Sequence, residues 1–108
     1  MISKLPRPVL NFLSAEKAKS PVKLAECFAA DGLVHDEGQD HRGTDAIKTW
    51  KKNADAKYQY AMELLDASAS ENTVKLRARL TGNFPGSPVE LNFTFMLAND
   101  KITSLDIR

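Results

Sequence analysis

Phe28–Trp50 reads FAADGLVHDEGQDHRGTDAIKTW and holds both histidines of the chain and its only tryptophan among a crowd of aspartates. Its first residues continue a helical phrase. In SPVKLAECFAADG, Val22, Ala25, Phe28 and Ala29 share one face, Ser20 stands as N-cap, Pro21 takes the first helical position and Asp31-Gly32 supplies the stop. The middle, LVHDEGQDHRG, is too short and too polar for a core helix; it reads as an extended entry at Leu33-Val34 and a loop to Gly43. Thr44 and Asp45 then open a further helix, TDAIKTWKKNADAKY, with Ile47 and Trp50 on the core side and Lys48, Lys51 and Lys52 toward water.

Upstream, Pro6 and Pro8 introduce PVLNFLSAEKAKS, where Val9, Leu10, Phe12 and Leu13 cluster at helical spacing. Downstream the texture changes. KYQYAMELLDASA, TVKLRARLTG, PVELNFTFMLA and KITSLDI are strand-like runs separated by the turn clusters SEN, NFPGS and AND. Val74, Leu76, Ala78 and Leu80 share one face, opposite Lys75, Arg77 and Arg79; Leu91, Phe93, Phe95 and Leu97 oppose Asn92, Thr94 and Met96. Helices first and strands afterwards make this an α+β chain: three N-terminal helices packed on a curved antiparallel sheet of about four strands, a cone around a cavity.

The 108 residues form a single domain, with no linker or internal repeat. Hydrophobic residues at 43% and charged residues at 27% exclude the disordered and fibrous classes. A net charge of +1, with the basic residues dispersed, argues against a nucleic-acid partner. The lone Cys27 forbids an internal disulfide and fits a small buried residue in a reducing compartment. No run suits a membrane span and the start, MISKLPRP, lacks the apolar stretch of a leader, so a cytoplasmic protein is expected.

FAADGLVHD followed by RGTDAIKTW resembles the signature of the nuclear transport factor 2-like superfamily, in its SnoaL-like and ketosteroid-isomerase-like branch. The element order matches over nearly the whole chain. The resemblance implies the cone fold, commonly paired through the outer sheet face, but leaves function open, since the fold hosts isomerases, cyclases, dehydratases and binding proteins. In the steroid isomerases of that family the aspartate ending the phrase is the proton-shuttling base, a position that falls on Asp36. Their oxyanion hole joins a tyrosine of the first helix to a protonated aspartic acid of a late strand. These positions fall on Phe12 and Thr94, one without a hydroxyl and the other a weak donor. The dehydratase branch adds a later histidine, and this chain has none beyond His41.

The expected ligand-binding wall is Phe12, Val34, Trp50, Tyr58, Tyr60, Thr94 and Met96, with Asp36 as candidate base. The hydroxyls of Tyr58 and Tyr60 serve a bound carbonyl if their face is concave and an interface if it is convex. His35, next to Asp36 in an extended segment, should turn away from the pocket. The acids and histidines from His35 to His41 match no standard ligand spacing, so neither a metal nor another cofactor is expected. With Thr94 facing the pocket, Phe93 and Phe95 face outward and suggest a homodimer through the outer sheet face. Two readings stand side by side: a protein binding a small apolar or cyclic molecule without turnover, and an isomerase, cyclase or dehydratase using Asp36. A protein-interaction adaptor stands third.

Overall fold

Helix α1 spans Arg7–Lys17 and turns Val9, Phe12, Ala15 and Glu16 inward. The computed structural model describes residues 5–108; Met1–Lys4, where part of the argument against a leader falls, lie outside the described residues. Helix α2, Pro21–Glu26, begins as its sequence dictates. The Ser20 hydroxyl accepts a hydrogen bond from the Lys23 N–H at 3.2 Å, and Pro21 has no N–H to leave unpaired. Ser20→Ala removes that acceptor and should cost about 1 kcal/mol in urea unfolding; no measurable loss would mean that Pro21 alone starts the helix.

The helix ends at Glu26, short of the expected Asp31-Gly32, and Phe28–Asp36 forms strand β1. The Cys27 carbonyl accepts the Ile102 N–H at 2.9 Å and Phe28 pairs with Ile102, so the sheet takes the backbone groups a longer helix would use. Phe28 stays buried, but Val22, expected on the buried face, is 55% exposed. Beyond a bulge the ladder resumes at Leu33↔Ser104. The anticipated loop is a β-hairpin: β2, Gln39–Arg42, pairs back on β1, and Glu37-Gly38 turn at positive φ, the pattern of a two-residue hairpin loop.

Helix α3, Thr44–Lys57, follows Gly43, whose N–H bonds the Gly32 carbonyl at 2.8 Å. Ile47 is fully buried and Trp50 partly so. One expectation fails here: Lys51, read as pointing to water, is 1% exposed.

The downstream runs become β3 (Tyr60–Ser70), β4 (Thr73–Gly82), β5 (Val89–Ala98) and β6 (Lys101–Ile107). The sheet holds six strands rather than about four, ordered β2-β1-β6-β5-β4-β3, because the hairpin joins the edge of β6. It is mixed: β1 runs parallel to β6 and every other neighbour is antiparallel.

The inner face buries Val74, Leu76, Ala78, Phe93 and Phe95 beneath the helices, and Phe12 meets Phe95 edge-on at 5.1 Å. This reverses the expected facing of β5. Phe93 and Phe95 point inward, and Thr94 and Met96 alternate onto the outer face, where Met96 is 42% exposed. The outer face is charged, with Arg79 reaching Glu63 at 3.4 Å and Glu90 at 3.5 Å, and Arg77 reaching Glu90 at 3.3 Å. The two phenylalanines therefore offer no dimer surface there. Among the described residues, no helix is long and apolar enough to cross a membrane.

Candidate functional site

Side chains two apart on β1 share a face, and that rule carries Asp36 inward. Val34 is fully buried in the core, and Asp36, one pleat further, opens onto a cavity of about 820 Å3. Helices α1 and α3, the β1–β2 hairpin and the inner faces of β3, β4 and β5 wall it. The walls are chiefly apolar: Phe12, Met62, Leu80, Leu91, Phe93 and Ile107.

The Asp36 Oδ2 accepts a hydrogen bond from the Trp50 indole N–H at 3.1 Å. Burial raises the Asp36 pKa above the ordinary carboxyl value; the indole hydrogen bond opposes that rise and the neighbouring Glu37 adds to it. Trp50→Phe keeps the wall and removes the donor, so it should raise the Asp36 pKa further. Carbon-detected NMR titration of the carboxyl reads this, and an unchanged or lowered value would mean that the indole does not hold the ionised form.

His35 turns away, as its parity requires, and pairs with Asp40 across the hairpin at 2.5 Å. His41, opposite Val34, lies on the cavity side with its ring 6.1 Å from that of Trp50. Among the described residues no three side chains gather in a metal-holding arrangement.

A second polar group stands in the same wall and has no counterpart in the sequence reading. Glu16 of α1, Lys51 of α3 and Tyr60 of β3 all line the cavity. The Lys51 ammonium donates to Glu16 Oε2, to Asp55 Oδ1 at 2.7 Å and to the Tyr60 hydroxyl at 3.1 Å. Tyr60 in turn donates to Glu16 Oε1 at 2.7 Å. Burial, with Glu16 and Asp55 alongside, drives the Tyr60 pKa far above the phenol range, so the hydroxyl keeps its proton. The signal for Lys51 was its spacing: Ile47, Trp50, Lys51 and Ala54 form one helical stripe, and a lysine there goes inside. Glu16, four residues after Phe12, sits on α1 in the same way.

The structure thus gathers Asp36, Phe12, Trp50, Tyr58 and Tyr60 around one cavity, sets Val34 behind it in the core, and puts Thr94 and Met96 on the opposite face of the sheet. The open question about the two tyrosines is answered: both lie on the cavity side. Tyr58 stands at the end of α3, its ring edge-on to Phe84 at 5.7 Å with the Lys57 ammonium 5.1 Å away. Chemically, Asp36 can accept or return a proton inside an apolar chamber. The Tyr60 hydroxyl is already engaged on both sides, which leaves Tyr58 as the other tyrosine hydroxyl in the wall.

The family profile of the SnoaL-like domain matches residues 9–105. A Sinorhizobium meliloti protein described provisionally as a polyketide cyclase is 35% identical and superposes with a TM-score of 0.92 over 96% of this chain and 95% of its own. A Catenulispora acidiphila protein with a ketosteroid isomerase-like fold, solved with trimethylamine, is 24% identical, with a TM-score of 0.84 over 97% of this chain and 86% of its own. A computationally designed 17-OHP binder is 15% identical, with a TM-score of 0.78 over 94% and 89%. The last two establish likeness of fold alone. No curated protein matches the chain.

Proposed function

This chain belongs to the SnoaL-like domain family, and from that premise we propose that it binds a small, mostly apolar ring compound in the cone cavity and moves a proton on it with Asp36. The observation that carries the reading is the carboxyl itself: it faces a chiefly apolar cavity, accepts from the Trp50 indole, and burial raises its pKa above the ordinary carboxyl value. The provisional description of the Sinorhizobium protein as a polyketide cyclase agrees with such a role.

The step is a proton abstraction. Asp36 takes a proton from carbon next to a carbonyl, the C–H electron pair moves into the carbon skeleton and onto the oxygen, and the proton returns from Asp36 to carbon or oxygen. The family's oxyanion positions give the oxygen little help. Phe12 has no donor, Thr94 faces away and Tyr60 is bound to Glu16 and Lys51, which leaves the Tyr58 hydroxyl as the one tyrosine donor for it. The substrates that fit are those whose carbanion is already delocalised, as between two carbonyl groups, for which a positioned base contributes most of the acceleration.

The test is proton exchange into a cyclic β-keto ester in heavy water, followed by NMR. Wild type should speed the exchange and Asp36→Asn should lose that acceleration. Equal rates for the two proteins would remove Asp36 from the chemistry.

A further inference from the structure

The Glu16, Lys51, Tyr60 and Asp55 cluster is unexplained by proton abstraction at Asp36. An ammonium has three protons, and all three of Lys51 have acceptors: Glu16, Asp55 and the Tyr60 oxygen. The one proton of Tyr60 goes to Glu16. Every proton of Lys51 and Tyr60 is therefore spent. Glu16, which lines the cavity, can still accept, because each carboxylate oxygen takes more than one hydrogen bond; Asp55, whose Oδ2 is buried with no partner among the described residues, is not part of the lining.

The charges, by contrast, balance. Lys51 and Lys19, whose ammonium lies 3.7 Å from Glu16, offset the two carboxylates. A free ion brought here would meet no net counter-charge and would lose its hydration. A nucleophilic amine is also excluded, since a lysine held by two carboxylates at hydrogen-bond distance presents protons rather than a lone pair.

Resting on the reading that the cavity binds a ring compound, we infer that the Glu16–Lys51–Tyr60 wall reads a neutral hydroxyl on that compound, accepting its hydrogen bond at Glu16, and discriminates against carboxylate anions and against ethers of the same shape. The ligand class is a hydroxylated ring, a phenol or a cyclic alcohol, entering with its hydroxyl toward α1 and its acidic carbon toward Asp36. The asymmetry follows from the arithmetic of unmade hydrogen bonds. An ether or a carboxylate would oppose acceptor to acceptor, whereas a hydroxyl adds a charge-assisted bond.

Calorimetric titration with 2-naphthol, 2-methoxynaphthalene and 2-naphthoate tests this. In wild type the naphthol should bind on the order of tenfold more tightly than either of the others, the value of one hydrogen bond to a charged acceptor. The ranking should persist in Asp36→Asn, which places the discrimination at this end of the cavity and separates it from the proton-transfer reading. Glu16→Gln presents an amide that can donate as well as accept, and should bring the three probes to within about a factor of two. Tyr60→Phe frees one Lys51 proton as well as Glu16 Oε1, and should narrow the gap between naphthol and naphthoate by giving the anion a donor; it also serves if Glu16→Gln fails to fold. Naphthol binding no better than the methyl ether in wild type overturns the inference while leaving Asp36 untouched. A preference that vanishes in Asp36→Asn, or a naphthol-to-naphthoate gap that widens in Tyr60→Phe, overturns it as well. Binding of none of the probes overturns it together with the cavity reading on which it rests.

Discussion

Lys51→Met should cost the protein about 3–5 kcal/mol, a large share of the roughly 5–15 kcal/mol that holds a domain folded. The ammonium is 1% exposed and is the shared donor to Glu16, Asp55 and Tyr60. Methionine fills much of the same space with a side chain of nearly the same length, so the core is not opened. What it leaves behind is two carboxylates held close together with only the half-exposed Lys19 ammonium near Glu16, each stripped of much of its water. Chemical denaturation of the single variant measures the loss. Adding Glu16→Gln and Asp55→Asn should then restore a large part of it, because a neutral cluster of similar volume carries no uncompensated charge. A single-variant loss below about 1 kcal/mol, the range of an exposed ion pair, would mean that the pair is solvated in solution.

That cluster also marks where sequence reading stopped. Alternation in VKLRARL and ELNFTFML put Val74, Leu76, Ala78, Phe93 and Phe95 together on their respective faces, and the structure keeps each set intact. What alternation does not give is the sign of a face. Placing Thr94 at a pocket position turns β5 the wrong way, because one residue's facing sets that of the whole strand. The same period-two rule succeeded on β1, where His35 and Asp36 had to part, because only one of the two could follow the buried Val34.

The boundary of α2 was missed for a different reason. Residues 20–32 carry good helix-stop chemistry at Asp31-Gly32, yet the chain leaves the helix after Glu26 to reach Ile102, far along the sequence. No local signal announces a parallel partner that distant. Lys51 goes inside although its charge suggests exposure, and Glu16, to which the sequence reading assigns no place, follows it; the position of each on an apolar stripe is the better guide.

Two polar groups line the one cavity. At Asp36 a single carboxyl is held by one indole donor and keeps room to change its protonation. At Glu16, Lys51 and Tyr60 the protons are committed to one another, which suits the group to the orienting role proposed for it. A ring compound spanning both would be fixed at one end and reacted on at the other, the arrangement by which positioning lowers the barrier of a proton transfer.

Asp36→Asn should give the second large effect, and its sign is opposite for activity and stability. Proton transfer should fall about a hundredfold to ten-thousandfold, the usual contribution of a positioned acid or base. Stability at neutral pH should rise. Burial lifts the Asp36 pKa in the folded chain above its ordinary 3.8, so the folded state holds that proton more tightly than the unfolded one. The stabilisation this gives is complete below the unfolded value and is lost as pH rises through the folded one. At neutral pH the ionised carboxylate is thus an unfavourable burial, and asparagine removes the charge while its amide oxygen can still accept from Trp50. Thermal unfolding of both proteins from acid to neutral pH should show the variant ahead at pH 7 and the two converging below the ordinary carboxyl value. A variant less stable at neutral pH would identify the carboxylate as a structural acceptor for Trp50 rather than a destabilising buried charge.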